Sequence, residues 1–185
     1  DDSRGIVDSG SVDHPLLTPS LVEAIGVPAN LGTADIWGHG TKVAGIAAFG
    51  DMRECVDQQS FQSPVRIISV KVVNDQGQFD DVETIPDIMK QAITALHERG
   101  CRLINVSLGD KYRIPYDGGR VSQWSATLDQ LARELDVVII VSAGNSAGGA
   151  QAPWGVPAEN IIGAYPDYLV AATNRIVEPA TAAIA

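Results

Sequence analysis

The chain has 185 residues, of which 45% are hydrophobic, and its formal net charge is -10 at pH 7. This length and composition allow one substantial hydrophobic core and predict a single domain over residues 1–185. Nucleic acids and anionic membranes bind clustered Lys and Arg, so the acidic charge argues against both partners, and no apolar stretch reaches the roughly 18 residues that a membrane-spanning helix requires.

Short apolar runs alternate with helical patterns along the chain. Residues 3–7 predict a thin strand, and the β-branched run 65–73 predicts a longer strand that ends in a polar turn. From Ile85 to Leu96, apolar residues recur at intervals of three and four, which is typical of an amphipathic helix. Beyond it the pattern predicts a strand, a helix and a fully buried strand, at 102–108, 124–135 and 137–141.

This alternation predicts an α/β fold with three layers, in which helices cover both faces of a parallel central sheet. The carboxyl ends of parallel strands bring their loops together along one edge of the sheet. Ligands usually bind at that edge in open α/β folds. Residues that follow the predicted strands are therefore the first candidates for a functional site.

Three short motifs lie where this architecture places loops. Asp8 ends the first predicted strand in Ile-Val-Asp-Ser-Gly, His39 begins a small-residue helix in Gly-His-Gly-Thr, and Asn145 follows the buried strand in Val-Ser-Ala-Gly-Asn. Each motif alone has an ordinary explanation: a turn aspartate, a structural histidine near a helix start, and a Gly-Asn turn. Their order and flanking residues together favour one shared site.

These motifs resemble those of the subtilisin-like serine proteases, or subtilases, in which Asp-Ser/Thr-Gly, His-Gly-Thr and Ala-Gly-Asn occur in this order. A further block, Asn105 to Gly109, is similar to the Asn-x-Ser-Leu-Gly strand that lines the substrate cleft of the family. The resemblance covers residues 6–145 and implies a subtilisin-like fold that is truncated on its C-terminal side.

The resemblance also implies roles for individual residues in cleaving a peptide or protein substrate. Asp8 would orient and stabilise the imidazole of His39, which would act as general base and then general acid. Asn145 would donate its side-chain amide to the oxyanion. An extended peptide would bind between two backbone walls, formed by Ser107, Leu108 and Gly109 on one side and by Ser142, Ala143 and Gly144 on the other.

The nucleophile of the family lies in a Gly-Thr-Ser-x-Ala-x-Pro block, and this chain contains no such block. Its two Gly-Thr pairs are followed by Ala34 and Lys42. We therefore expect the isolated chain to be inactive, with the serine supplied by a missing C-terminal segment. Truncation should also expose apolar sheet edge, which predicts self-association through that edge.

Two alternatives and several absences complete the sequence prediction. The main alternative is a non-catalytic subtilase-like module that binds peptides or assembles with a partner; an unrelated α/β hydrolase or nucleotide-binding fold is less favoured because its motifs are lacking. No cofactor is predicted, and no metal, because the loop 48–54 does not resemble the calcium loop of the family and no Cys/His cluster has zinc spacing. Cys55 and Cys101 either pair or stay reduced.

Overall fold

A computed structural model of the chain describes residues 3–109, 116–144, 156–171 and 175–183. They form one five-stranded sheet with strand order β2-β3-β1-β4-β5, in which every pair is parallel. The strands are β1 (Ser3–Asp8), β2 (Leu21–Gly26), β3 (Arg66–Lys71), β4 (Leu103–Val106) and β5 (Val138–Val141). The helices are α1 (His39–Phe49), α2 (Met52–Asp57), α3 (Ile85–Glu98), α4 (Gln123–Leu135) and α5 (Asp167–Val170), with 3-10 turns at Ala29–Leu31 and Ala158–Asn160.

The predicted three-layer α/β fold is confirmed. Alternate residues of β1 point to opposite faces of the sheet, so Val7 joins the larger core beneath α3 and α4 while Ile6 joins a smaller core beneath α1. Both side chains are almost completely buried, at 0% and 1% exposure. β3 is likewise buried on both faces along most of its length, with Ile67, Ile68 and Val70 at 0 to 4% exposure.

The position of β1 in the centre of the sheet determines where the site lies. β1 pairs with β3 on one side and with β4 on the other, so its last residue, Asp8, lies in the middle of the carboxyl edge. Close packing of α3 on β1 depends on Gly5, because a Cβ there would lie 2.6 Å from Cδ1 of Leu96. The central strand thus ends in a completely buried polar residue, Asp8.

The α3 helix forms where the apolar spacing predicts it. Thr84 caps the amino end by accepting a hydrogen bond from the backbone N–H of Asp87 at 3.3 Å, and Pro86 lies in the first turn. Gly100, with φ of 84°, ends the helical segment in the left-handed conformation that favours glycine. Within the described residues, no helix has both the length and the apolar character needed to cross a membrane.

The elements that were not predicted include β2 and α2. β2 pairs only with β3 among the described strands, is mostly half-exposed, and has a register shift between Leu21 and Glu23. Its side chains therefore show neither regular alternation nor a continuous apolar run. The six-residue α2 is stabilised locally by Asp51, whose carboxylate accepts from the N–H groups of Arg53 and Glu54.

Replacing Leu96 by alanine is expected to lower the free energy of unfolding by about 2–5 kcal/mol, because its fully buried side chain packs against Gly5 and the α3–α4 core. Urea denaturation followed by circular dichroism would measure the change. Val82→Ala is the matched control: this side chain is 87% exposed, so its loss should change stability by less than about 0.5 kcal/mol. Equal effects of the two substitutions would contradict the packing described above.

Candidate active site

Asp8 is completely buried at the end of β1 and contacts His39. Its Oδ1 lies 2.7 Å from Nδ1 of His39 and also accepts a hydrogen bond from the backbone N–H of Ser9 at 2.8 Å. Burial raises the pKa of Asp8 above its ordinary value of 3.8, and the hydrogen bonds from His39 and Ser9 offset this only in part. The second oxygen, Oδ2, is buried without a hydrogen-bond partner in the described part of the chain.

His39 is the first residue of α1, and its side chain is 38% exposed. The preceding Gly38 has φ of 82°, and this left-handed conformation turns the chain from the loop into the helix. Because Nδ1 faces Asp8, Nε2 on the other side of the ring is directed away from that carboxylate. An imidazole held in this way can exchange a proton through Nε2 while Nδ1 stays bound to the carboxylate.

Trp37 stacks on the imidazole and was not singled out from the sequence. The two ring centroids are 5.1 Å apart with an angle of 26° between the ring planes. The indole also lies close to Gly77, where a Cβ would be 2.8 Å from the ring. Stacking on an aromatic ring restricts rotation of the imidazole, so Trp37 helps to keep Nδ1 on Asp8.

Asp35 is a second buried carboxylate at the site, 4% exposed, and the sequence prediction missed it. It lies in the loop that leads into α1. Its Oδ1 accepts hydrogen bonds from Ser9 and Gly38, the neighbours of Asp8 and His39, and its Oδ2 accepts from Thr41 in the first turn of α1. A sequence signal was present: Gly38 offers no side chain to cap α1, and an acidic residue just before a helix is favoured near the amino end of its dipole.

The two predicted backbone walls lie next to each other at the carboxyl edge. Ser107, Leu108 and Gly109 follow β4, and Ser142, Ala143 and Gly144 follow β5. The backbone N–H of Ser142 donates to the carbonyl of Val106 at 3.2 Å, and its hydroxyl lies 3.5 Å from the carbonyl of Leu108. Asn145 lies outside the described residues, so its predicted role stays a prediction.

A later segment, residues 175–183, packs against the ends of both walls. A Cβ at Gly144 would lie 2.6 Å from Cγ2 of Val177, and a Cβ at Gly109 would lie 3.6 Å from the carbonyl oxygen of Glu178. The Glu178 carboxylate accepts hydrogen bonds from the backbone and hydroxyl of Ser122, at 2.9 and 2.7 Å, and from the hydroxyl of Ser125. This segment therefore links the walls to the amino end of α4.

Metal ligands and a disulfide can be assessed only for the described residues. Within them no group of three or more His, Cys, Asp and Glu side chains is arranged to hold a metal ion. Cys55 and Cys101 are both free thiols, and burial raises the pKa of Cys101. A buried thiol with a raised pKa is a poor nucleophile, so we assign Cys101 to packing.

The two buried carboxylates should give opposite pH dependences of stability. The pKa of Asp8 is raised, so the stability of the wild type relative to Asp8→Asn should fall as pH rises above 3.8 and level off above the folded-state pKa. Burial also raises the pKa of Asp35, but hydrogen bonds from Thr41, Ser9 and Gly38 outweigh it and bring the pKa below 3.8. Stability relative to Asp35→Asn should therefore fall as pH drops below 3.8.

Urea denaturation of the wild type and the two variants between pH 3 and pH 7 would measure these differences. A difference curve of the same sign for both carboxylates would show that their environments have been misassigned.

A family model described as the subtilase family matches residues 5–173 of the chain. The chain belongs to the subtilase family. The subtilase fold is also seen in solved structures: a cold adapted subtilisin-like serine proteinase is 20% identical with a TM-score of 0.53, covering 78% of this chain and 46% of its own. A lanthipeptide protease is 22% identical with a TM-score of 0.53, covering 78% of this chain and 39% of its own.

Among curated proteins, this subtilase is 54% identical over 99 residues to an uncharacterized Sinorhizobium fredii protein, y4bN. The match covers 53% of this chain and 22% of the relative. The subtilase chain thus spans less than half the length of each of these proteins. The predicted membership of the subtilase family is confirmed.

Proposed function

We propose that this chain is the Asp–His part of a serine endopeptidase that hydrolyses peptide bonds through a seryl acyl-enzyme. The observation that carries the proposal is the 2.7 Å contact between Oδ1 of Asp8 and Nδ1 of His39, in a side chain that keeps 38% exposure. A buried acceptor on one ring nitrogen and an accessible second nitrogen are what proton transfer to and from a serine hydroxyl requires.

The roles of the two residues follow from this geometry. His39 Nε2 takes the serine proton as the hydroxyl oxygen attacks the carbonyl carbon, and then returns it to the leaving amine as the peptide C–N bond breaks. The Asp8 carboxylate holds the Nδ1 tautomer and stabilises the imidazolium formed between these two steps. Water repeats the sequence on the acyl-enzyme and releases the acid product.

The walls and Asn145 would bind the substrate around this pair. Backbone groups of residues 107–109 and 142–144 lie at the ends of β4 and β5, where an extended peptide can add as a strand. The side-chain amide of Asn145 follows the second wall in the sequence and would donate to the oxyanion of the tetrahedral intermediate.

The serine is proposed to come from a further segment that docks beside β5. The prediction that β5 is fully buried was wrong: Val138 and Ile140 are 59% and 49% exposed, and in the described residues β5 pairs only with β4. An open strand edge is stabilised by another strand, and apolar side chains on the sheet face are covered by an element that packs on that face. In the isolated chain the same edge would favour self-association, which light scattering of wild type and Ile140→Lys would detect.

Labelling of the complete gene product with a fluorophosphonate tests the proposal. The probe forms a covalent bond with an activated serine, so the wild type should be labelled and a variant with that serine replaced by alanine should not. His39→Ala should also lose labelling, because the serine is then no longer activated. Equal background labelling of all three proteins would favour the alternative, a peptide-binding or assembly module without turnover.

A further inference from the structure

We propose that Asp35 is a positioning residue, which holds Asp8 and His39 at their working distance by hydrogen bonding to the residues beside them. The proposal builds on the catalytic role proposed for that pair. Asp35 touches neither the imidazole nor the Asp8 carboxylate through a hydrogen bond; its partners lie in Ser9, Gly38 and Thr41. It thus acts on the site through its neighbours.

One oxygen of Asp35 connects β1 to the start of α1. Oδ1 accepts from the hydroxyl of Ser9 and from the backbone N–H of Gly38, both at 2.7 Å. The same Ser9 oxygen accepts from the backbone N–H of Gly40 at 2.9 Å. Ser9 follows Asp8, while Gly38 and Gly40 flank His39, so these three bonds set the separation of the two catalytic candidates.

The other oxygen fixes the first turn of α1. Oδ2 accepts from the backbone N–H of Thr41 at 2.8 Å and from its hydroxyl at 2.6 Å. The Thr41 hydroxyl oxygen in turn accepts from the backbone N–H of Val12 at 3.2 Å, in the loop after β1. The carboxylate is therefore joined to both sides of the site through each of its oxygens.

Four groups donate hydrogen bonds to Asp35: the Ser9 hydroxyl, the Gly38 backbone N–H, and the backbone N–H and hydroxyl of Thr41. Only a carboxylate can accept all four. An asparagine at position 35 would place an NH₂ group toward either the Thr41 backbone N–H or the Gly38 backbone N–H, and two donors cannot bond to each other. Hydrogen bonding to several donors also explains why the pKa of Asp35 is lowered despite burial, which keeps the group ionised. A charged acceptor in front of α1 is further favoured by the helix dipole.

The loop that carries Asp35 is itself anchored to the sheet. Lys71 at the end of β3 is 2% exposed, and its Nζ donates to the backbone carbonyl of Ala34 and to the carboxylate of Asp75, both at 2.7 Å. The neighbouring carbonyl of Thr33 accepts from the backbone N–H of Ser11 at 3.1 Å. These bonds leave Asp35 little freedom to move away from the site.

The test compares two variants that remove hydrogen bonds of the Asp35 carboxylate with two control variants that keep them. Asp35→Asn replaces one acceptor oxygen of the carboxylate by an NH₂ group. Thr41→Val removes the hydroxyl that donates to Asp35 while keeping the shape of the side chain. Thr41→Ser keeps that hydroxyl and should behave as the wild type. Asp51→Asn is the control, because Asp51 caps α2 in the same manner but has no bond to the site. Circular dichroism first establishes that each variant is folded.

The tautomer of His39 and its hydrogen bond to Asp8 are the properties that distinguish positioning from a purely structural role. In this chain, ¹⁵N-labelled histidine NMR should show one Nδ1–H tautomer with a low-field proton for the bond to Asp8 in wild type, Thr41→Ser and Asp51→Asn. Folded Asp35→Asn and Thr41→Val should lose that proton signal. In the complete gene product, kcat should fall by about 10²-fold with KM unchanged, as expected for misplacement of a reacting group by about 1 Å.

Unchanged His39 signals in a folded Asp35→Asn variant would overturn the proposal. If Asp35→Asn does not fold, Thr41→Val decides alone, and wild-type signals there would overturn it equally. Absence of peptide hydrolysis by the complete gene product would instead count against the proposed function. The NMR measurement would still test the positioning role of Asp35 in that case, because it does not depend on catalysis. Failure of the positioning role and failure of the proposed function are therefore distinguishable.

Discussion

Replacing His39 by alanine is expected to reduce kcat of the complete gene product by on the order of 10⁶, the loss found when the equivalent histidine is removed from subtilisin. The imidazole bound to Asp8 is the group proposed to carry the proton, and an alanine side chain has no group that can accept or return it. Asp8→Asn should cost about 10⁴, because asparagine favours the wrong imidazole tautomer while leaving the ring in place.

A chromogenic peptide assay would measure both losses, with single-turnover kinetics to separate chemistry from product release. His97→Ala, on α3 and away from the site, is the control and should leave kcat unchanged. Because the two residues act as a unit, the Asp8→Asn/His39→Ala double variant should be no slower than His39→Ala alone. Additive losses would show that the two side chains work independently, in conflict with their 2.7 Å contact.

Gly40→Ala is expected to destabilise the chain by about 1–3 kcal/mol and to weaken the contact of His39 with Asp8. A Cβ at this position would overlap the backbone carbonyl of Gly10 and lie 3.1 Å from its backbone nitrogen. Backbone atoms of the turn after β1 cannot rotate away as a flexible side chain would. Helix α1 must therefore shift, and His39 shifts with it.

Gly45 provides the matched control within the same helix. A Cβ there meets no atom within 4 Å, so Gly45→Ala should stabilise the chain by roughly 0.5–1 kcal/mol through the better helix propensity of alanine. Thermal and urea denaturation would measure both changes, and the low-field proton of His39 would report the geometry of the site. A stabilising effect of Gly40→Ala would mean that α1 and the turn are further apart than described.

The sequence determined the elements whose pattern is local. The apolar spacing of α3, its cap and its terminal glycine lie within one helix length, and the runs of β3 and β5 are short and continuous, so each could be predicted from its own residues. Asp8 and His39 were also predicted, because the motif blocks resemble those of a known family. That resemblance, and no periodicity, linked two residues that are 31 positions apart.

Tertiary structure alone decided how these elements come together. No local pattern places β1 between β3 and β4, since strand order depends on contacts between distant segments. Asp35 and Trp37 show the same limit: in the sequence they are an aspartate and a tryptophan in a loop. Asp35 becomes part of the site because folding brings its carboxylate to Ser9 across 26 positions, in a buried place where unpaired polar groups are unfavourable. Trp37 becomes part of it because its ring stacks on His39.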